Sequence, residues 1–363
     1  MGSLTDQNLA LIVTFGYLER VLTLEPGALE AFVLRATGSA ASAVTAMPGG
    51  ASTRSYFRAV TPEGSFVAMF VPDAAPEEVT SGAAPTRWPF LEVRELLEAR
   101  GVRAPRLVAE DTERGLLLLE DLGDETLAAF LESEPHRRGE VYRAAVLDLA
   151  RAQKGLQGLP EGSVVAGRSF DEKLLRWELD HFREWGLDAR GRELGKEDRK
   201  AFDAIADRLA KRIAAWPKGF VHRDYQSRNL MVRSPADNED AVELVWIDFQ
   251  DALLGPRVYD LVALLSDSYQ SFDRAFIDAR LDDFAAAAGL DSAARADLDR
   301  EFDLVTVQRK LKDAGRFIFI DRVKKNPAFL PYFEPSLAKV RAALARLEDE
   351  EDMVELRRIL SQA

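Results

Sequence analysis

Residues 220–232 read FVHRDYQSRNLMV and set His222, Arg223, Asp224, Arg228 and Asn229 between apolar ends. Apolar flanks imply that the ends of the segment are buried, and buried polar groups need partners. Such a stretch is either a salt-bridged turn or the centre of an active site. Asn229 follows Asp224 by five residues, and Asp248 then closes the apolar stretch Leu244 to Ile247. A hard divalent cation such as Mg²⁺ takes oxygen ligands, usually one or two carboxylates together with substrate phosphates. Asn229 and Asp248 could supply the protein's share, and Asp224 could accept the proton of an attacking hydroxyl. This is the division of labour of phosphoryl transfer. Taken singly, Asp224 and Asn229 could cap a helix or close a turn, and His222 reads as a packed, hydrogen-bonded histidine. An H-x-D-x-x-x-x-N motif followed by apolar-apolar-Asp-Phe is far more specific than either part alone.

The elements that must position these groups change character along the chain. Residues 26–36 read as a helix. A Gly/Ser-rich loop leads to alternation at Tyr56, Arg58 and Val60, a turn at TPEG, and a strand over 65–71. A helix follows over 90–100, then two strands around a turn at Thr112 to Gly115. Beyond Gly123 the period is helical, over 125–133, 135–156, 171–186 and 197–215. Strand-like fragments at 230 and 243 interrupt it, and helices resume from about Pro256. A sheet-rich unit over 1–122 and a helical unit over 123–363 are expected, an α+β organisation.

Composition narrows the function. The chain has 363 residues, 47% of them hydrophobic, with 48 Lys plus Arg against 61 Asp plus Glu and a net charge of −13. That charge disfavours nucleic acid and anionic membranes as partners. With no cysteine and three separated histidines, thiolate zinc and multi-histidine metal sites are not expected. The apolar patch Leu9 to Phe15 is too short to span a bilayer and lacks a basic flank, so residues 1–23 read as a possible helical extension. A cytoplasmic protein, monomeric or weakly homo-oligomeric, is expected.

HRDYQSRN and IDFQDALLGPRVYDLVALL together resemble the aminoglycoside phosphotransferase and choline kinase superfamily, over roughly residues 30–330. STRSYFR, HRDYQSRNLMV and GPRVYDLVALLSDSY are most similar to the anomeric sugar kinases that act on N-acetylmuramate and N-acetylglucosamine in bacterial cell-wall recycling. The resemblance implies a two-lobed protein-kinase-like fold with ATP and Mg²⁺ as cofactors. It makes Asp224 the catalytic base, His222 its support, and Asn229 and Asp248 the metal ligands. Glu120 and Leu122, in LLEDLG, fall on the linker whose backbone holds the adenine. Helices of the second lobe line the acceptor pocket, so Trp177 could stack on a sugar while Glu178 and Asp180 bond its hydroxyls. Core packing is the other reading of that helix. Arg228 and Arg257 could hold a substrate carboxylate or serve in structural pairs. Asp260 is either a helix N-cap or a partner of the catalytic loop.

The chain departs from the superfamily pattern at Met69, where a phosphate-holding lysine is usual. Arg54 and Arg58 are the nearest cations that could replace it, and Glu92 loses the reason for pairing with that lysine. Gln250 stands where protein kinases carry the glycine of D-F-G. The departures keep two rivals open: a kinase for an aminoglycoside, choline or another small-molecule hydroxyl, and a non-catalytic nucleotide-binding module.

Overall fold

The computed structural model describes residues 22–48, 53–72, 87–233 and 242–362. The expected extension therefore lies almost wholly outside the described residues, as does part of the Gly/Ser-rich loop. The chain forms two compact units.

Among the described residues, the first unit comprises 22–48 and 53–72 together with Arg106–Asp121. Helix α1 (Ala28–Thr37) precedes strands β1 (Ala43–Ala46), β2 (Ser55–Thr61), β3 (Gly64–Phe70), β4 (Leu107–Asp111) and β5 (Leu116–Glu120). The strands form one antiparallel sheet in the order β1-β2-β3-β5-β4. Strand alternation sends Ala59, Ala68, Phe70, Leu116 and Leu118 into a core with Leu29, Phe32 and Val33 of α1. Met69 has the opposite parity on β3, pairs in register with Tyr56 and Leu117, and is fully buried. Strand β1 lies in the small-residue stretch read as loop; its four residues, AVTA, are too few to show a period.

The second unit holds α2 (Pro89–Ala99), α3 (Leu127–Ser133), α4 (Arg138–Gly155), α5 (Glu172–His181), α6 (Lys196–Ala214) and α7 (Tyr259–Leu265). It continues with α8 (Arg274–Ala288), α9 (Ser292–Arg322), α10 (Phe333–Arg346) and α11 (Glu351–Gln362). Asp171, Asp273 and Asp291 cap α5, α8 and α9 through their carboxylates. A π-helical turn over Phe182–Leu187 extends α5. The short antiparallel pairs β6 (Lys218–Val221) with β9 (Leu253–Pro256), and β7 (Leu230–Arg233) with β8 (Glu243–Trp246), flank the polar loop. Strands β6 and β9 are not among the expected elements; Gly219 and the Gly255-Pro256 pair interrupt their apolar runs.

Residues 87–105 belong with the second unit and not with the sheet, as a single cut at 122/123 would have them. Phe90 stacks on Phe249 at 5.0 Å, and Glu92 accepts the Val164 N–H. The Trp246 N–H bonds the Arg103 carbonyl at 2.9 Å. No helix among the described residues is long and apolar enough to cross a membrane.

Candidate active site

The polar loop is held by its own backbone and by buried carboxylates. The Asp260 carboxylate accepts the N–H of His222 at 2.7 Å and of Arg223 at 3.0 Å. Asp260 is thus the loop's partner and not a helix cap; Val258 occupies the N-cap position of α7. Arg223 has φ 82°, a left-handed conformation that costs a side-chain-bearing residue of order 1–3 kcal/mol. The two Asp260 bonds and a 2.6 Å bond from Arg309 Nη1 to the Arg223 carbonyl hold it there. Arg309 Nη2 lies 3.1 Å from Asp224 Oδ1, so one guanidinium grips the backbone and the side chain of successive residues.

His222 joins this loop to the second half of the site. Its Nε2–H donates to the Ile247 carbonyl at 3.1 Å, and its Nδ1 accepts the Asp224 N–H at 3.3 Å. Complete burial lowers its pKa to about 4, so the ring is neutral near pH 7 and can fill both roles at once. Burial also raises Asp260 to about 7, against the two N–H bonds that lower it. Below the ring, Tyr225 and Trp246 make edge contacts with it at 5.8 and 5.5 Å.

Asn229 is brought to Asp248 by the backbone. The Ile247 N–H bonds the Asn229 carbonyl at 3.1 Å, while Asn229 Nδ2 donates to the Asp224 carbonyl at 2.9 Å. Asn229 Nδ2 then lies 3.5 Å from Asp248 Oδ2. Asp248 has φ 62°, and Gln250 Nε2 donates to its Oδ1 at 2.9 Å. Gln250 therefore orients the carboxylate from the place a glycine usually takes, with its own carbonyl bonded by Arg168. A carboxylate and a carboxamide side by side fit Mg²⁺, which keeps several waters and takes further oxygens from phosphates. Asp224, Asn229 and Asp248 are thus brought together within one unit.

The other expected residues fall in three places. Arg58 forks onto Asp121 at 2.7 and 3.1 Å, and Ser65 bonds the same carboxylate. Arg54 is half-buried just before β2. Glu120 ends β5 and accepts the Arg106 N–H at 3.1 Å, and Leu122 opens the second unit. On α5, Trp177 is 38% exposed and stacked on His181 at 5.3 Å. Its neighbour Glu178 points the other way and is fully buried. Glu178 accepts a 2.7 Å bond from Gln308 and lies 3.6 Å from Arg223, so its position suits a counter-charge and not a contact with sugar hydroxyls. Asp180 is taken up by Arg176 and Arg183, and Arg257 by Glu301.

Two supports of the loop escaped the sequence reading. Asp267 bonds the Ser227 N–H and hydroxyl, and Arg309 comes from the middle of α9. Asp267, in LLSDSY, ends an apolar helix and could have been noticed as Asp260 was. Arg309 lies in VQRKLKDAG, which composition does not distinguish from a solvated helix face.

A sheet-rich unit and a helical unit carrying an Asp–Asn loop beside a strand-end Asp define the protein-kinase-like class of phosphotransferases. The model of the phosphotransferase enzyme family APH matches residues 43–298, and the chain belongs to that family; it is an ATP-dependent kinase. It is 34% identical over 319 residues to an N-acetylmuramate/N-acetylglucosamine kinase of Pseudomonas aeruginosa, covering 86% of this chain and 87% of the relative. A kinase of the same name from Pseudomonas putida is 32% identical over 324 residues, covering 87% and 88%. The crystal structure of the ADP-bound aminoglycoside phosphotransferase APH(2'')-Ib has the same fold, with a TM-score of 0.55 at 15% identity over 87% of this chain and 98% of the other.

Proposed function

We propose that the protein transfers the γ-phosphoryl group of ATP to the anomeric hydroxyl of an amino sugar, N-acetylmuramate or N-acetylglucosamine. The product is the sugar 1-phosphate, and the setting is peptidoglycan recycling in the cytoplasm. The observation that carries the reading is the shared name of the curated relatives, which match most of this chain and most of their own length.

The residues have the chemistry for it. The acceptor oxygen bonds to the γ-phosphorus as the bond from phosphorus to the β–γ bridging oxygen breaks, and the acceptor proton passes to the Asp224 carboxylate. Arg309 holds the Asp224 carboxylate and the Asn229 amide its backbone carbonyl, which limits the geometries the acceptor meets. Asn229 and Asp248 would hold Mg²⁺, which when bound offsets the charge of the phosphates. Arg54 and Arg58 are the first unit's candidates for the phosphates in place of a lysine at Met69, and the backbone near Glu120 and Leu122 for the adenine. Trp177 offers a face for the sugar ring.

An acceptor panel in a coupled ADP-release assay tests the reading, with the product identified by ³¹P NMR. Turnover of an amino sugar to its 1-phosphate is expected. Turnover confined to an aminoglycoside or choline would replace the acceptor class. ATP binding without transfer to any acceptor would leave a nucleotide-binding module.

A further inference from the structure

Arg228 is exposed on the catalytic loop, four residues after Asp224. Its guanidinium carbon sits 3.6 Å from the centre of the Tyr269 ring and 5.5 Å from that of Tyr332. Nη2 donates to the Tyr332 hydroxyl at 3.0 Å. Among the described residues no carboxylate pairs with it, whereas Arg223, Arg257 and Arg309 each have an acidic partner. A guanidinium has five N–H donors in a rigid fork, and one of them is engaged here.

The placement is built into the unit. Asp267 accepts the Ser227 N–H through Oδ2 at 2.9 Å and the Tyr269 N–H through Oδ1 at 2.9 Å. One carboxylate thereby ties the residue before Arg228 to the residue beneath it. Lys310 bonds the Ser268 hydroxyl at 3.1 Å, and Lys339 bonds the carbonyls of Asp267 and Gln270. Tyr269 meets Tyr332 edge-on at 4.8 Å, so the two rings form a fixed corner. Arg228 lies on the same loop as Asp224, and the corner carries it there. An exposed cation held over an aromatic face, with donors left over, is preorganised to receive an oxyanion.

We propose that Arg228, stacked on Tyr269 and bonded to Tyr332, is a specificity-determining residue that reads a carboxylate on the acceptor. Resting on the amino-sugar reading above, this assigns Arg228 to the lactyl carboxylate that distinguishes N-acetylmuramate from N-acetylglucosamine.

The test is the ratio of kcat/KM for the two sugars, measured for wild type, Arg228→Gln, Arg228→Lys and Tyr269→Leu, with thermal melts to establish folding. A charge-assisted hydrogen bond lost from the acceptor corresponds to a fall of about 10- to 100-fold in the muramate-to-glucosamine ratio for Arg228→Gln, carried by the muramate KM. Arg228→Lys keeps the charge without the fork and should give a smaller fall, and Tyr269→Leu a fall of several-fold. A ratio that stays at the wild-type value while both sugars lose activity together would overturn the assignment, since a purely structural role affects both. Unchanged kinetics on both sugars in a folded Arg228→Gln would do the same. If the wild type phosphorylates neither sugar, the amino-sugar reading fails, and this assignment with it. That outcome is read from the wild type alone and is distinct from an unmoved ratio.

Discussion

Arg309 Nη2 lies 3.1 Å from Asp224 Oδ1 while its Nη1 holds the Arg223 carbonyl at 2.6 Å. The guanidinium is 2% exposed at its side chain, so the pair is shielded from water on one side. Arg309 thus bridges a left-handed backbone to the carboxylate proposed as proton acceptor, the place of a positioning residue. In Arg309→Met, kcat should fall about 10- to 100-fold with the KM for ATP within a few-fold, and stability should drop by roughly 3 kcal/mol. Arg309→Lys should recover only part of kcat, because an ammonium cannot fork to both oxygens. Wild-type kcat in a folded Arg309→Met would remove the role.

The proposed roles of Asp224 as base and Asp248 as Mg²⁺ ligand predict different kinetic effects. Asp224→Asn should lower kcat by about 10²- to 10⁴-fold, the usual range for a general base, with ATP affinity nearly intact by calorimetry. Asp248→Asn should instead raise the Mg²⁺ concentration needed for half-maximal turnover. If Asp224→Asn turns over like wild type, the base is another group.

His222 and Asp260 predict opposite pH dependences of stability. His222 titrates near 4 in the fold and near 6.5 unfolded, so between these values the unfolded chain holds the extra proton. Its contribution is therefore lost as pH falls. Asp260 titrates near 7 in the fold and near 3.8 unfolded, so the folded chain holds the extra proton and its contribution is lost as pH rises. The two slopes oppose each other from about pH 4 to 6.5. Relative to wild type, Asp260→Asn should make stability rise more steeply with pH, and His222→Gln less steeply, each by up to about 1.4 kcal/mol per unit. Urea melts at pH 5 and 6 measure this; slopes displaced in the same direction would contradict it.

Gly315 lets α9 approach the π-helical turn. A Cβ there would come within 2.8 Å of the Phe182 Cα and 2.9 Å of the His181 carbonyl, both backbone atoms. Ala favours a helix over Gly by about 1 kcal/mol, but backbone overpacking costs about 1–3 kcal/mol. Gly315→Ala should therefore fail to stabilise and should lower Tm. A raised Tm would show that the two helices can part without cost.

Trp177 and Glu178 are neighbours with different expected effects. Trp177→Ala, on a partly exposed ring, should raise the sugar KM several-fold with little change in Tm. Glu178→Ala removes the buried counter-charge of Arg223 and should lower stability by about 3–5 kcal/mol. A sugar KM unmoved in Trp177→Ala would remove the stacking role.

Much of this organisation was legible in the sequence. Strand alternation at Tyr56, Arg58 and Val60 marked β2, and the apolar period marked most helices, because both periods are local. The motif spacing singled out Asp224, Asn229 and Asp248, since a loop and a strand end carry their side chains within a few residues. Of the four-residue strands, β7 and β8 were legible as unbroken apolar runs, whereas β1, β6 and β9 were not, their runs being broken by small residues, glycine or proline. The packing of α2 was also hidden, because an amphipathic face does not name the surface it covers.

Residue type and spacing within one loop are chain properties, so the local sequence was enough to nominate Asp224, Asn229 and Asp248 for the chemistry. It also determined what is missing, a lysine at position 69. What each cation does follows from long-range contacts. Arg223, Arg228 and Arg309 are chemically alike, and contacts from α5, α9, Tyr332 and the 267–270 turn assign them to a buried ion pair, an exposed aromatic corner and a grip on Asp224. Those contacts join residues up to 104 positions apart. Side-chain environment is set by such long-range packing, and local sequence carries no record of it.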